Sequence, residues 1–123
     1  MTRDGHVAAS HRIAERLESQ YRAHPEGPQC ENTKIWVFCN GAGGLGMRLY
    51  DKVFGRNTYR AFENFVGYTR ENYMTIGADG KLQSLTSYYD PIEKLHSYVL
   101  VIAACAPRLV VAADRHHVHR HAA

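Results

Sequence analysis

The longest apolar run of the chain lies in residues Asp90–Asp114, DPIEKLHSYVLVIAACAPRLVVAAD, and it limits the possible folds more than any other feature. Asp90, Pro91 and Glu93 match a helix start, in which Asp accepts from exposed N–H groups, Pro takes the first helical position and a carboxylate follows. A helix from Pro91 to Ala113 would be about 34 Å long, against a hydrocarbon thickness of about 30 Å. We therefore predict a C-terminal apolar helix over 90–114 that is long enough to be embedded in a membrane.

Polar groups within this run make a lone membrane span marginal. Arg108 would cost about 2.5–3.5 kcal/mol at a helix centre, which offsets most of the gain from the apolar side chains. Such a span would need partner helices. Two other structures stay open: a helix buried in a soluble core, and two strands that turn at Ala106-Pro107-Arg108 and are favoured by β-branched Val99, Val101 and Val110.

Length, charge and cysteine content narrow the class of protein. A chain of 123 residues is expected to form a single domain over 1–123, with flexible ends at 1–9 and 115–123. The net charge of +3 is too small to indicate nucleic-acid binding. Cys30, Cys39 and Cys105 are too few and too widely spaced for a disulfide framework or a C-x-x-C metal pair, and they favour a reducing compartment. The N-terminus lacks the apolar region of a secretory signal.

The rest of the chain predicts a series of short elements. These are a helix after Ser10 with Ile13, Leu17 and Tyr21 on one face, a β-prone run Lys34–Cys39, a glycine loop, a helix from Leu45 to Phe54, an aromatic helix over 58–73 and a hairpin that turns at Asp79-Gly80. The predicted fold is mainly α, with three to four helices, one short β-hairpin and the C-terminal apolar helix. The alternative is a small α+β domain.

The glycine-rich segment Asn40–Gly46 allows two interpretations. Gly41, Gly43 and Gly46 satisfy G-x-G-x-x-G, in which glycines let backbone N–H groups approach a phosphate at a helix start. The segment GAGGLG resembles the turn of dinucleotide-fold proteins such as ubiquitin-activating-type adenylating enzymes and zinc-dependent alcohol dehydrogenases. This resemblance implies a nucleotide or coenzyme held by Gly41, Gly43, Gly44 and Gly46. However, the acidic residue expected about 20 positions later is Glu63, in a segment of helical rather than strand periodicity. The interpretation that we favour is close helix packing through small residues such as Ala42 and Gly46.

Basic residues recur every four positions after the glycines. Arg48, Lys52, Arg56 and Arg60 would form one stripe on a continuous helix, but Gly55 is expected to end the first helix and Thr58 or Asn57 to start the next. These four residues and Arg108 are our candidates for contacts with a protein partner or with anionic lipid headgroups. A solvated basic face is the alternative.

No complete catalytic or metal-binding pattern is present in the sequence. Cys39 is the one candidate nucleophile, and a small buried side chain is the simpler interpretation. The segment 115–121 holds four of the eight histidines, but no acidic or cysteine ligand stands nearby. We therefore predict no catalytic residue, no metal and no cofactor.

These features together suggest a subunit rather than a free enzyme. Thin amphipathic stripes, a lone hairpin and a marginal span would each be stabilised by other protein subunits. We expect a non-catalytic accessory subunit of a larger, membrane-bound assembly, whose layout is similar to that of small single-span subunits of mitochondrial ATP synthase or respiratory complexes. That layout implies the mitochondrial inner membrane. From the charges we expect contact with anionic lipid and no nucleic acid. The alternative is a soluble, cytoplasmic nucleotide-binding α/β protein that uses Gly41–Gly46.

Overall fold

A computed structural model describes residues 2–100 of the chain, and the side chains of 2–98. Within this part, three α-helices pack beside a four-stranded antiparallel sheet. The elements in chain order are α1 (Arg3–Ala23), β1 (Ile35–Trp36), α2 (Val37–Phe54), α3 (Tyr59–Tyr68), β2 (Met74–Ile76), β3 (Leu82–Asp90) and β4 (Leu95–Leu100). A π-helical turn, Thr69–Tyr73, joins α3 to β2.

Strand β3 is the centre of the sheet. It pairs with β4 from Ser84 to Asp90, so β4 occupies one edge along most of its length. The other edge is shared: β2 pairs with the first half of β3, and β1 pairs with Tyr88 and Tyr89 in the second half. The short β1 therefore connects the sheet directly to the start of α2.

The predicted fold class is wrong, because the segment after Asp90 forms a strand rather than a helix. Asp90 Oδ1 does accept from the N–H groups of Ile92 and Glu93, at 2.9 and 3.1 Å. The same contacts occur in a tight turn, however, and Lys94 has a φ of +54°, which stops helical growth. Residues 95–100 then return along β3. The remainder of the predicted 90–114 helix, residues 101–114, lies outside the described residues.

Two other boundaries differ from prediction. Helix α1 begins at Arg3, with Thr2 as its N-cap, rather than at Ser10. The β-prone run Lys34–Cys39 contributes only two strand residues, since α2 begins at Val37. The predicted turn at Asp79-Gly80 is present between β2 and β3, but the hairpin is not isolated, because β3 continues into the wider sheet.

The core forms where the helices meet one another and the sheet. Tyr21 of α1, Met47 of α2, Phe62 and Phe65 of α3, and Tyr73 before β2 are almost fully buried. Aromatic pairs dominate this cluster: the rings of Tyr21 and Phe62 meet edge to face with centroids 5.0 Å apart. Among residues 2–100, no helix is both long and apolar enough to cross a bilayer.

Candidate functional site

The glycine-rich segment lies inside α2 and not in a loop. Helix α2 begins four residues before Gly41, so the N–H groups of the glycines are used within the helix and form no open phosphate cradle. The prediction of a strand, glycine loop and helix is therefore wrong. Glu63, the candidate acid, is exposed on α3.

At two positions of α2, close packing against neighbouring side chains leaves room only for glycine. A Cβ on Gly43 would lie 2.9 Å from the Tyr21 hydroxyl, and a Cβ on Gly44 would overlap with the ring of Phe62. These glycines let α2 approach α1 and α3. Gly41 and Gly46 differ, since a Cβ there would meet nothing within 4 Å. The small-residue pair that we favoured, Ala42 and Gly46, is exposed on the opposite side of α2.

A buried amide fixes the start of α2 against its neighbours. The Tyr21 hydroxyl donates to Asn40 Oδ1 at 2.9 Å, and Asn40 Nδ2 donates to the carbonyls of Trp36 at 2.9 Å and Pro28 at 3.2 Å. Burial raises the pKa of Tyr21, with a smaller effect from Cys30, so the hydroxyl stays protonated as a donor. The first turn of α2 is thus held to both α1 and the preceding loop.

The end of α2 is fixed by Asp51. Its Oδ1 accepts from the N–H and hydroxyl of Thr58, and its Oδ2 accepts from the N–H of Tyr59, each at 2.8 Å. Burial alone would raise the pKa of Asp51, but these three hydrogen bonds outweigh it and hold the pKa below its ordinary value. Gly55 ends α2 with a φ of +62°, as predicted, and the carboxylate caps α3.

The outward side of α2 is apolar and uncovered within the described structure. Phe38, Leu45, Leu49 and Val53 are 88, 72, 63 and 64% exposed. Their spacing of seven, four and four residues places them on one side of the helix. We call these four residues the α2 apolar face.

A groove lies beside the α2 apolar face, between α1 and α2. Its volume is about 480 Å³. Helix α1 contributes Ile13 and Leu17, while α2 contributes Met47 and Tyr50 together with Leu49 and Val53 of the apolar face. At one end, His11 Nδ1 and the Tyr50 hydroxyl are hydrogen-bonded at 2.6 Å. The groove and the α2 apolar face form one continuous apolar surface.

The predicted basic residues are divided as expected between two helices. Arg48 and Lys52 lie on α2, Arg56 lies in the connection and Arg60 lies on α3; all four are exposed. The Arg48 guanidinium stands 4.9 Å from the ring centre of Tyr59. Arg108 and the histidine-rich segment lie outside the described residues.

Clusters of three or more potential metal ligands do not occur in the part of the chain that the structure describes. Cys39 is exposed rather than buried, as is Cys30. Two buried side-chain atoms in this part, Trp36 Nε1 and Thr69 Oγ1, have no hydrogen-bond partner within the protein, and they lie on different elements.

The α2 apolar face was not predicted from the sequence. A signal was present, because Phe38, Leu45, Leu49 and Val53 follow a helical repeat. It was hidden by the β-branched and aromatic run Lys34–Cys39, which indicated a strand, and by the glycines, which indicated a loop.

Comparison of the chain with protein-family models, with curated protein sequences and with solved structures found no match. Any function must therefore be argued from the surface of this chain.

Proposed function

We propose that the protein is a non-catalytic accessory subunit of a larger protein assembly and binds its partner through the α2 apolar face. The observation that carries this proposal is the exposure of Phe38, Leu45, Leu49 and Val53 on one side of one helix. Single exposed apolar residues are common on soluble proteins, but a continuous apolar patch marks an interaction surface.

The shape of the surface favours an elongated partner. The groove beside the α2 apolar face is concave and runs between two helices. Gly46, which has open space beside it, lowers its α2 wall. An amphipathic helix binds a groove of this kind with residues spaced three, four and seven apart. A lipid bilayer is flat and would leave the groove unfilled.

The charges beside the surface favour an acidic partner. On α2, exposed Arg48 and Lys52 each follow a residue of the apolar face by three positions, so they lie along its α3 side. On α1, exposed Arg12 and Arg16 lie roughly 60–100° around the helix from Ile13, on the side away from Leu17. Cations therefore border both long sides of the apolar surface.

The carboxylates of the two helices lie elsewhere. Asp4, Glu15 and Glu18 are roughly 140–200° around α1 from Ile13, and Glu18 is paired with Arg22. Asp51 of α2 is directed to α3. The complementary occupant is thus a helix of another protein with one apolar face and with Asp or Glu along both edges of that face.

The membrane-bound setting of the assembly remains a prediction from the sequence, as does the mitochondrial inner membrane. Support for a lipid contact consists of the exposed bases Arg48, Lys52, Arg56 and Arg60. The contact with a protein partner that we propose does not depend on a contact with lipid.

The proposal is tested by binding of two labelled synthetic helices to the full chain, measured by fluorescence anisotropy. Both peptides carry the same leucine stripe, and the flanking positions are Glu in one and Lys in the other. We expect the Glu peptide to bind at least tenfold more tightly and to lose affinity as salt is raised. Leu49→Asp should abolish binding, because it places a carboxylate among the apolar contacts.

The matched control is Ile92→Asp, since Ile92 is 68% exposed but lies in the turn after β3. It should bind the Glu peptide like the unchanged protein. Equal affinity for both peptides, or equal loss in the two variants, would contradict the proposal. Binding to anionic vesicles that Leu49→Asp abolishes, with no peptide binding, would assign the surface to lipid instead.

A further inference from the structure

Cys39 lies in the first turn of α2, and the loop before α2 brings Cys30 to the same place. Cys30 is held by backbone hydrogen bonding across a tight turn: its N–H donates to the carbonyl of Lys34 at 3.1 Å, and Thr33 in that turn has a φ of +62°. The chain then passes through β1 into α2. This return places Cys30 beside the helix start although it precedes Val37 by seven residues.

The sulfur of Cys30 faces the helix. Asn40 Nδ2 lies 3.6 Å from Cys30 Sγ, and the same nitrogen donates to the Trp36 carbonyl. Cys39 directly precedes Asn40 and occupies the first turn of α2, where side chains lean toward the helix N-terminus. Burial raises the pKa of the Cys30 thiol, and the charge of Cys39 and a side-chain hydrogen bond with it raise that pKa further, so the two thiols are neighbours. Both cysteines are exposed and neither is in a disulfide.

We propose that Cys30 and Cys39 form a thiol–disulfide exchange site, which closes to an intramolecular disulfide on reaction with a small-molecule disulfide such as oxidised glutathione. This inference does not depend on the proposed function. The closed form ties the loop before α2 covalently to the helix that carries the α2 apolar face.

The exchange is balanced in two steps. One thiolate attacks a sulfur of oxidised glutathione, breaks its S–S bond and releases one glutathione thiolate. The second cysteine, as thiolate, attacks the mixed disulfide, forms the Cys30–Cys39 bond and releases a second glutathione thiolate. The two protons of the cysteines end on the two glutathiones, which together receive two electrons.

The surroundings of Cys30 determine the pH dependence of closure. Partial burial raises the pKa of the Cys30 thiol, the N–H at Trp36 opposes this, and the neighbouring Cys39 and Glu31 raise it further. Since the thiolate is the reactive form, closure is faster as the pH rises.

The test uses the full chain in a mixture of reduced and oxidised glutathione, followed by thiol titration and peptide mass mapping. Of the three cysteines, one thiol should remain titratable after oxidation, and the mapped disulfide should join Cys30 to Cys39. Cys105→Ser should close in the same way. Cys30→Ser and Cys39→Ser should instead accumulate a glutathione adduct on the remaining cysteine of the pair.

Two results would overturn the inference. One is a stable glutathione adduct on Cys30 or Cys39 of the unchanged protein with no internal disulfide. The other is an internal disulfide that includes Cys105. Circular dichroism of each variant before oxidation verifies that the helices are intact.

Discussion

At the scale of single residues, substitutions of the α2 glycines test whether glycine is needed there for helix packing. Gly44→Ala should lower the free energy of unfolding by about 1–3 kcal/mol, because its Cβ would overlap with the Phe62 ring in a filled core. Gly46→Ala is the matched control, since open space surrounds Gly46 and alanine favours a helix by up to about 1 kcal/mol. Urea unfolding measures both changes. Equal effects of the two substitutions would contradict the packing of α2 against α3.

Asp51 is a second residue with a specific structural role. Asp51→Ala should cost about 1–2 kcal/mol near neutral pH, because it removes the acceptor for the first N–H groups of α3. The pKa of Asp51 is lowered by folding, so its contribution is full above the pKa of the unfolded chain and is lost as the pH falls through the folded pKa.

Unfolding experiments over an acidic pH series test this dependence. The stability difference between the unchanged protein and Asp51→Ala should shrink as the pH falls below about 4. Glu63→Ala, at an exposed site on α3, provides the control and should change stability little at any pH. A difference that stays constant with pH would show that Asp51 does not act through its charge.

At the scale of elements, the turn Pro91–Lys94 decides between the predicted helix and the observed strand. Lys94 has a φ of +54°, which costs a side-chain-bearing residue roughly 1–2 kcal/mol and costs glycine almost nothing. Lys94→Gly should therefore raise the free energy of unfolding by up to about 1 kcal/mol. Glu93→Gly, one position earlier, should lower it. If 90–100 were helical, both glycines would destabilise the protein, and thermal unfolding distinguishes the two cases.

The same turn shows what the sequence could and could not predict. Asp90, Pro91 and Glu93 correctly indicated a carboxylate that accepts from the N–H groups after it. A helix start and a tight turn share these first contacts. Only the pairing of the following residues with β3 distinguishes the two, and a local sequence pattern does not contain that pairing. The end of α2 at Gly55 was predictable, because a glycine that ends a helix is a local signal and does not depend on contacts with other elements.

Short apolar runs were the other source of error. Lys34–Cys39 has the composition of a strand, yet its second half, from Val37 onward, belongs to α2, because Asn40 and Met47 of that helix are buried against α1 and α3. The candidate site followed the same pattern. Arg48 and Lys52, which border the α2 apolar face, were proposed as contact residues from their spacing. The face itself could be predicted only if the start of α2 at Val37 were known.

At the scale of the whole molecule, the helices and the sheet bury one aromatic core and leave one side of α2 uncovered within residues 2–100. Helix α2 contacts the core through Asn40, Gly44 and Met47, and its ends are fixed by Asn40 and Asp51. The exposed side is therefore rigidly presented. Rigid presentation reduces the ordering cost of binding a partner helix.

The central claim is that the α2 apolar face binds an acidic amphipathic helix of another protein. The most direct measurement places a photo-crosslinking amino acid at Leu45 in the full chain, in the cells that produce it, and maps the crosslinked peptide by mass spectrometry. The same group at Ile92 is the control. We predict crosslinks from position 45 alone, to a segment of another protein with helical apolar spacing and flanking Asp or Glu. Crosslinks from position 45 to lipid, to residues 101–123 of the same chain or to a second copy of it would contradict the claim.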